Sequence, residues 1–349
     1  LTPFGEQLAA NGFRFAAAEP PRDTIATGDP LLELAREFPL AMRLEAYAQA
    51  YSGNRAATDF QTPYGLKVLS SGTISKKLSY YFYTFLAERG EVGGVEDAFL
   101  YINDIGGKPV DVAIGQFQVS DPLFKRELRL EYEDYAVYRA RLGDVPVDLT
   151  YDRGIVASVE VAGFAVTGQL LNGNGFGAAD DQRRFDRDAF KSVFFHVSRD
   201  FGSKLRIGSF GYTGKTNGDG VANRTGMFGV DATLGGRTVE LNGQYIHRSD
   251  SRPTFVLDEP KARLDGGFAE MILRPPRSRW YGFALYNLVT ADRPILDVRL
   301  GTGGGIRRYE TMSVGFGRAE RRNFRWTAEG TYDIEREEFR WGLGFVTAF

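Results

Sequence analysis

Side chains able to do covalent or metal chemistry are scarce in this chain. Its 349 residues include two histidines, His196 and His247, and no cysteine. A Ser-His-Asp relay needs a histidine between its partners, and a zinc site needs several nitrogen or sulfur ligands close together. Neither histidine has such company, so we expect no catalytic residue, no metal and no cofactor. Asp180, Asp181, Asp186 and Asp188 share one polar stretch, but Arg183, Arg184 and Arg187 interrupt them. A solvated loop fits that stretch better than a calcium site. Gly301-Thr-Gly-Gly-Gly305 lacks the strand-to-helix setting and the lysine of a phosphate loop, and reads as a flexible loop.

Ionic chemistry remains. Lys125, Arg126, Glu127, Arg129, Glu131, Glu133 and Asp134 follow one another within a stretch also rich in tyrosine and leucine, and Arg139 and Arg141 lie just beyond. A second group, Arg43, Arg307, Arg325 and Arg340, is spread over both ends of the chain and is accompanied by Glu45, Glu329 and Glu338. Opposed charges across a water-filled passage set a transverse field that orients dipolar solutes and weights ions by sign. Alternatively, the same charges are ion pairs that satisfy a wall. The net charge of −2 argues against a nucleic-acid binder, whose footprint would be basic.

The elements that must position these charges are strands. From Leu40 onward apolar and polar residues alternate. Met42, Leu44, Ala46, Ala48 and Ala50 share one face and Arg43, Glu45, Tyr47, Gln49 and Tyr51 the other. Phe324, Trp326, Ala328 and Tyr332 oppose Arg325, Thr327, Glu329 and Thr331, and Phe339, Trp341, Leu343 and Phe345 oppose Glu338, Arg340, Gly342 and Gly344. Period-two alternation marks a strand between two environments. No apolar run approaches the roughly 20 residues of a spanning helix, so membrane insertion must be by strands.

The pattern predicts sixteen strands near 40–52, 61–70, 76–87, 95–103, 110–118, 151–162, 164–172, 189–199, 204–214, 225–235, 238–248, 262–273, 278–290, 306–318, 323–333 and 337–349. Short turns follow even strands, as at Ala162-Gly163 and Gly235-Gly236. Longer polar loops follow most odd ones, at 173–188, 215–224, 249–261 and 291–305. Sorting of loops by parity is what an even-stranded outer-membrane barrel has. The expected fold class is therefore all-β: a transmembrane antiparallel β-barrel of about 16 strands, residues 39–349, with a short N-terminal helical segment in residues 1–38. Thr2-Pro3 and Asp29-Pro30 are helix-start signals for two short helices there, placed in the periplasm or the barrel mouth. A chain beginning at Leu1 leads us to expect that an export signal was removed. The third long connection, about 119–150, is too apolar to be comfortable in water and is expected to carry function.

The terminal aromatic Phe349, closing an alternating strand, resembles the insertion signal of Gram-negative outer-membrane barrels. Val112-Ala-Ile-Gly-Gln-Phe-Gln118, followed by Asp121-Pro122, resembles the Gly-Gln-Phe-Lys and proline signature of the phosphate-selective porins, a polyanion-type family of that membrane. Asp152-Arg-Gly-Ile155, leading to Leu171-Asn-Gly-Asn-Gly175, is similar to a second motif pair of that family. Together they anchor residues 76–175. The resemblance implies a sixteen-stranded channel, often a homotrimer, with the third loop as its constriction. It does not carry phosphate selectivity across, because Gln118 replaces the family's lysine and the loop charges are of both signs. Leu1-Thr-Pro-Phe-Gly-Glu-Gln-Leu-Ala-Ala-Asn-Gly-Phe-Arg14 resembles the segment following the haem-attachment motif in porin-cytochrome conduits. The expected function is a non-enzymatic porin of the bacterial outer membrane, surrounded by lipid and passing small hydrophilic or ionic solutes. The alternative is a barrel scaffold partnering an electron-transfer cytochrome, through its N-terminal periplasmic segment.

Overall fold

The computed structural model describes residues 24–26, 28, 33–35, 39–53, 57–75, 77–124, 132–175, 177–186, 188–218, 220–298 and 304–349. One sheet dominates it and closes on itself. The first five strands are β1 (Ala41–Tyr51), β2 (Ala57–Ser75), β3 (Leu78–Glu88), β4 (Val95–Ile102) and β5 (Val110–Gln118). A stub, Glu91–Val92, pairs with the end of β3 and is the detached first piece of β4. After a long connection come β6 (Tyr151–Val161), β7 (Phe164–Leu171), β8 (Ser192–Phe201), β9 (Leu205–Gly218), β10 (Val221–Gly235) and β11 (Val239–Asp250). The circuit ends with β12 (Ala262–Leu273), β13 (Trp280–Ala291), β14 (Arg308–Arg321), β15 (Phe324–Asp333) and β16 (Glu338–Ala348).

Every neighbouring pair is antiparallel, and closure is made by β16 on β1, from Arg340↔Tyr51 to Ala348↔Arg43. Phe349 completes the seam: its N–H donates to Met42 O at 2.9 Å, and its carbonyl accepts from Met42 N–H at 2.7 Å. The sixteen strands expected from the alternation are therefore present, with no open sheet edge to satisfy in an apolar medium. The two faces differ as the pattern required. Along β8, Ser192, Phe194, His196 and Ser198 are buried while Val193 and Phe195 are exposed. Phe195, Leu241, Val314, Phe316, Trp341 and Leu343 are each between 43% and 59% exposed on the outer face. An apolar belt of that extent has no counterpart on a water-facing protein and is what hydrocarbon covers.

Two expectations change. The second N-terminal helix, expected over 31–38, is a strand at Glu33–Ala35, paired with Thr24–Ala26 in a small separate hairpin. Eight residues are too few to hold an isolated helix, and cross-strand pairing of Ile25 with Leu34 overrides their propensity. The first expected helix lies outside the described residues. Most of the expected loop 215–224 is strand, because β9 runs on to Gly218 and β10 starts at Val221. The stretch looked like a loop because it is polar. Those polar groups are used inside: Asn223 Nδ2 and Thr225 Oγ1 both donate to Asp250 Oδ1, at 2.8 and 2.6 Å.

The interior is not an empty cylinder. Buried apolar side chains of β8 to β13, including Phe194, Phe210, Ile246, Phe268 and Leu285, form one cluster with Leu123, Tyr135, Val137, Tyr138 and Leu149 of the β5–β6 connection.

Candidate functional site

The β5–β6 connection leaves the wall at Gln118 and returns at Tyr151, and its described parts lie within the barrel. Its base is secured first. Val119 N–H donates to Thr150 O at 2.8 Å, Gln169 Nε2 to Val119 O at 3.0 Å, and Arg206 Nη2 to Pro122 O at 2.7 Å. The sequence motifs that flank the loop serve this purpose. Asp152 Oδ2 accepts the N–H of Gly173 at 2.8 Å, locking the second motif pair together. Gly173 sits at φ +83°, where a side chain would be strained. Gln118 is fully buried, with Nε2 donating to Ser120 Oγ at 2.9 Å. It is therefore a structural residue of the loop base.

From there the loop is pinned across the lumen by a line of tyrosines and one helical turn, α1 (Ala136–Arg139). Tyr135 Oη donates to Glu270 Oε1 at 2.8 Å, and its ring stacks on Phe268 at 4.1 Å between centroids. Tyr138 Oη donates to Gln244 Oε1 at 3.2 Å. Burial pushes the Tyr138 phenol well above the usual tyrosine range, so it stays a neutral donor. Asn287 grips the backbone at both sides of Tyr135, accepting from Ala136 N–H at 3.1 Å and donating to Asp134 O at 3.0 Å. Arg248, 1% exposed, donates to Ala140 O at 3.0 Å and Val147 O at 2.7 Å and pairs with Asp250. Arg141–Leu142 adds a short strand against Leu296–Asp297 of the β13–β14 loop.

The sequence-expected charges fall into separate groups. Glu133 and Arg340 meet: Arg340 Nη2 lies 2.6 Å from Glu133 Oε2 and 3.2 Å from Glu329 Oε1. Glu329 also accepts the N–H of Tyr132 at 2.7 Å, and the Arg340 guanidinium stands 4.7 Å from the Tyr132 ring centroid. Asp134 pairs with Arg139 at 2.7 Å instead. Arg43 lies at another level of the wall, 2.7 Å from Glu45, which also holds Lys67 at 3.0 Å. Arg325 is reached from Glu45 across Val346, since Val346 faces both in register. Arg307 is exposed at the long-loop mouth, beside Arg308 and Glu335. Lys125, Arg126, Glu127, Arg129 and Glu131 lie outside the described residues. Between the pinned loop and the wall of β1, β2 and β16 a recess of about 590 Å³ opens to the long-loop side, lined among others by Tyr51, Tyr64, Arg89, Tyr132, Glu338 and Arg340.

The histidines are structural. His196 Nε2 is 2.9 Å from Asp231 on the inner wall. His247 sits on the outward face of β11, 2.8 Å from Asp265. Asp180 accepts from the backbone of Gln182 and Arg184 and pairs with the Arg184 side chain at 3.0 Å. Sequence reasoning missed Lys67, Arg248, Asn287 and Glu270. Arg248 carried a signal, being in the inward phase of β11.

No protein-family model matches the chain, and no curated relative does. Among solved structures it is similar to the anion-selective porin from Comamonas acidovorans, with TM-score 0.62 and 10% identity over 90% of this chain and 99% of that one. It is also similar to Salmonella typhi OmpF in complex with daunomycin, with TM-score 0.62 and 12% identity over 89% and 97%. The trimer form of in-vitro folded OmpT, an outer membrane protein of Vibrio cholerae, aligns with TM-score 0.61 and 12% identity over 90% and 99%. The chain thus has the closed, antiparallel barrel fold of bacterial outer-membrane porins.

Proposed function

We propose that this chain is an outer-membrane channel through which small hydrophilic or ionic solutes diffuse passively. The observation that carries the proposal is a closed barrel, apolar outside and charged on its inner wall at β1, β2, β15 and β16, whose third long connection is fastened within the lumen at many points. Permeation needs no catalytic group. Water fills what the loop leaves open, the loop sets the diameter, and wall charge sets preference. The proposed constriction comprises Lys125, Arg126, Glu127, Arg129, Glu131, Glu133 and Asp134, with Arg43, Arg325 and Arg340 along the wall and Arg307 at the long-loop mouth. Charges of both signs make the selectivity modest, and buried Gln118 adds no cation to the path, which argues against a phosphate-specific channel. Similarity to a trimeric neighbour supports a homotrimer in lipid. Swelling of proteoliposomes in a graded series of neutral sugars tests the proposal. Rates should fall steeply with solute size, and rates equal to protein-free vesicles would refute it.

A further inference from the structure

The short turns that end β8, β10, β12 and β14 are successive neighbours around one side of the barrel. With strands about 4.8 Å apart, each turn lies about 10 Å from the next. The first carries Lys204 and the second Arg237. The third carries Arg274, Arg277 and Arg279, and the fourth carries Arg322, with Arg318 and Arg321 at the end of β14 that leads into it. These eight cations face three carboxylates in the adjoining strand ends, Asp200, Glu240 and Glu320, in a chain whose net charge is −2. Two carboxylates are engaged locally, Glu240 with Arg274 at 2.9 Å and Glu320 with Arg318 at 3.2 Å. Lys204, Arg237, Arg277, Arg321 and Arg322 are exposed and form no ion pair with any described residue. Arg279 Nη1 donates to Glu320 O at 3.2 Å, which joins the third and fourth turns into one surface.

The depth of this crescent is set by its aromatics. The Arg318 guanidinium lies 5.2 Å from the ring centroid of Trp280, which is 49% exposed on the outer face. On β8 the Arg199 guanidinium stands 4.8 Å from the Phe164 ring and 5.6 Å from that of Phe201. Arginine stacked on outward aromatics at the edge of an apolar belt marks the level of lipid headgroups. The turns just beyond that level lie among the phosphates. We infer that the short-turn crescent from β8 to β15 binds anionic phospholipid headgroups of the adjoining leaflet, with Arg277, Arg279, Arg321 and Arg322 as its main phosphate ligands. The inference rests on the membrane-spanning reading of the barrel. Arginine suits the task because its planar fork pairs with phosphate oxygens while its stem lies on the rings.

Tryptophan fluorescence tests it. The chain has three tryptophans. Trp326→Phe with Trp341→Phe leaves Trp280 as reporter beside the crescent, and Trp280→Phe with Trp326→Phe leaves Trp341 near the opposite rim as control. Vesicles containing brominated phosphatidylglycerol, or brominated phosphatidylcholine, report which lipid occupies each neighbourhood. At Trp280 we expect phosphatidylglycerol to be preferred about three- to tenfold, and at Trp341 not at all. The preference should vanish in R277Q/R279Q/R321Q/R322Q and in molar salt, and persist when the same arginines become lysine. Equal quenching by both lipids at Trp280, or a preference that survives the glutamine substitutions, would overturn the inference. So would its abolition by inorganic phosphate at the lipid's concentration, which would assign the crescent to a soluble anion. A protein that passes solutes but shows no lipid preference removes this inference alone, whereas failure to enter vesicles removes the membrane reading as well.

Discussion

Replacement of Arg340 by alanine probes how the loop is held. The guanidinium bridges two carboxylates, Glu133 on the loop at 2.6 Å and Glu329 on the wall at 3.2 Å, which are each 5% exposed. Without the arginine these two like charges face one another across the loop-wall contact. Breaking a buried pair by removing one partner costs about 3–5 kcal/mol. The Arg340 side chain is 24% exposed to the recess, so the lower end applies, about 2–3 kcal/mol after solvent screening. Since 1.4 kcal/mol is a factor of about ten, the detached state of this part of the loop should gain roughly thirty- to a hundredfold. Single-channel recording reads the result as larger mean conductance, added open-state noise and a reversal potential moved toward cations. Glu133→Gln in the Arg340→Ala background removes the repulsion and should return conductance and noise most of the way to the parent. An Arg340→Ala channel with the parent's conductance, noise and reversal potential would show that this ion pair does not hold the loop.

Other consequences are independent. Arg248→Met strips donors from Ala140 O and Val147 O and leaves Asp250 buried without its cation, so heat-induced unfolding in detergent should come earlier by about 3–5 kcal/mol. Protease cleavage between residues 140 and 150 should appear with it. Val314→Arg puts a charge at the middle of the lipid face and should destabilise the folded barrel by about 2–4 kcal/mol in vesicles, whereas Gln244→Arg, on the inner face, tests that outward and inward positions respond differently. In the β11–β12 loop, burial alone would raise Glu259, but the N–H of Thr254 and the guanidinium of Arg293 outweigh it and hold the carboxyl below its ordinary range. That tie therefore contributes stability above pH about 4.3 and loses it as pH falls through the lower folded value. Cleavage of residues 251–261 by pepsin should rise across that window, and an Arg293→Gln variant, which keeps the Thr254 N–H but loses the cation, should show a smaller rise beginning at higher pH. Replacement of Lys125, Arg126 and Arg129 by alanine should move the reversal potential toward cations. An unchanged value would remove those residues from the constriction.

The fold was legible because each barrel strand lies between lipid and water, and that difference is written into every second side chain. Phe324 to Asp333 and Glu338 to Ala348 have opposite faces readable residue by residue, and the structure keeps that phase. The reading failed where the environment is uniform. Beyond the hydrocarbon both faces of β9 and β10 are polar, so strand residues such as Thr216 and Asn223 looked like loop. The site was half legible. Composition marked 119–150 as a loop uncomfortable in water, but nothing in the sequence paired Glu133 of that loop with Arg340 of the last strand. The loop's anchors were not visible, because Asn287, Glu270 and Arg248 are far from it in sequence and become partners only when the sheet closes. Nor does a sequence tell an arginine that faces solute from one that, like Arg340, is bound to two carboxylates.

A planar lipid bilayer to which detergent-purified protein is added, with current recorded over a range of potassium chloride concentrations, puts the pore to the most direct test. The account predicts discrete, ohmic conductance steps that grow with salt and a reversal potential showing only modest ion preference. A bilayer that stays silent at every salt concentration, with protein shown to be folded and inserted, would contradict it.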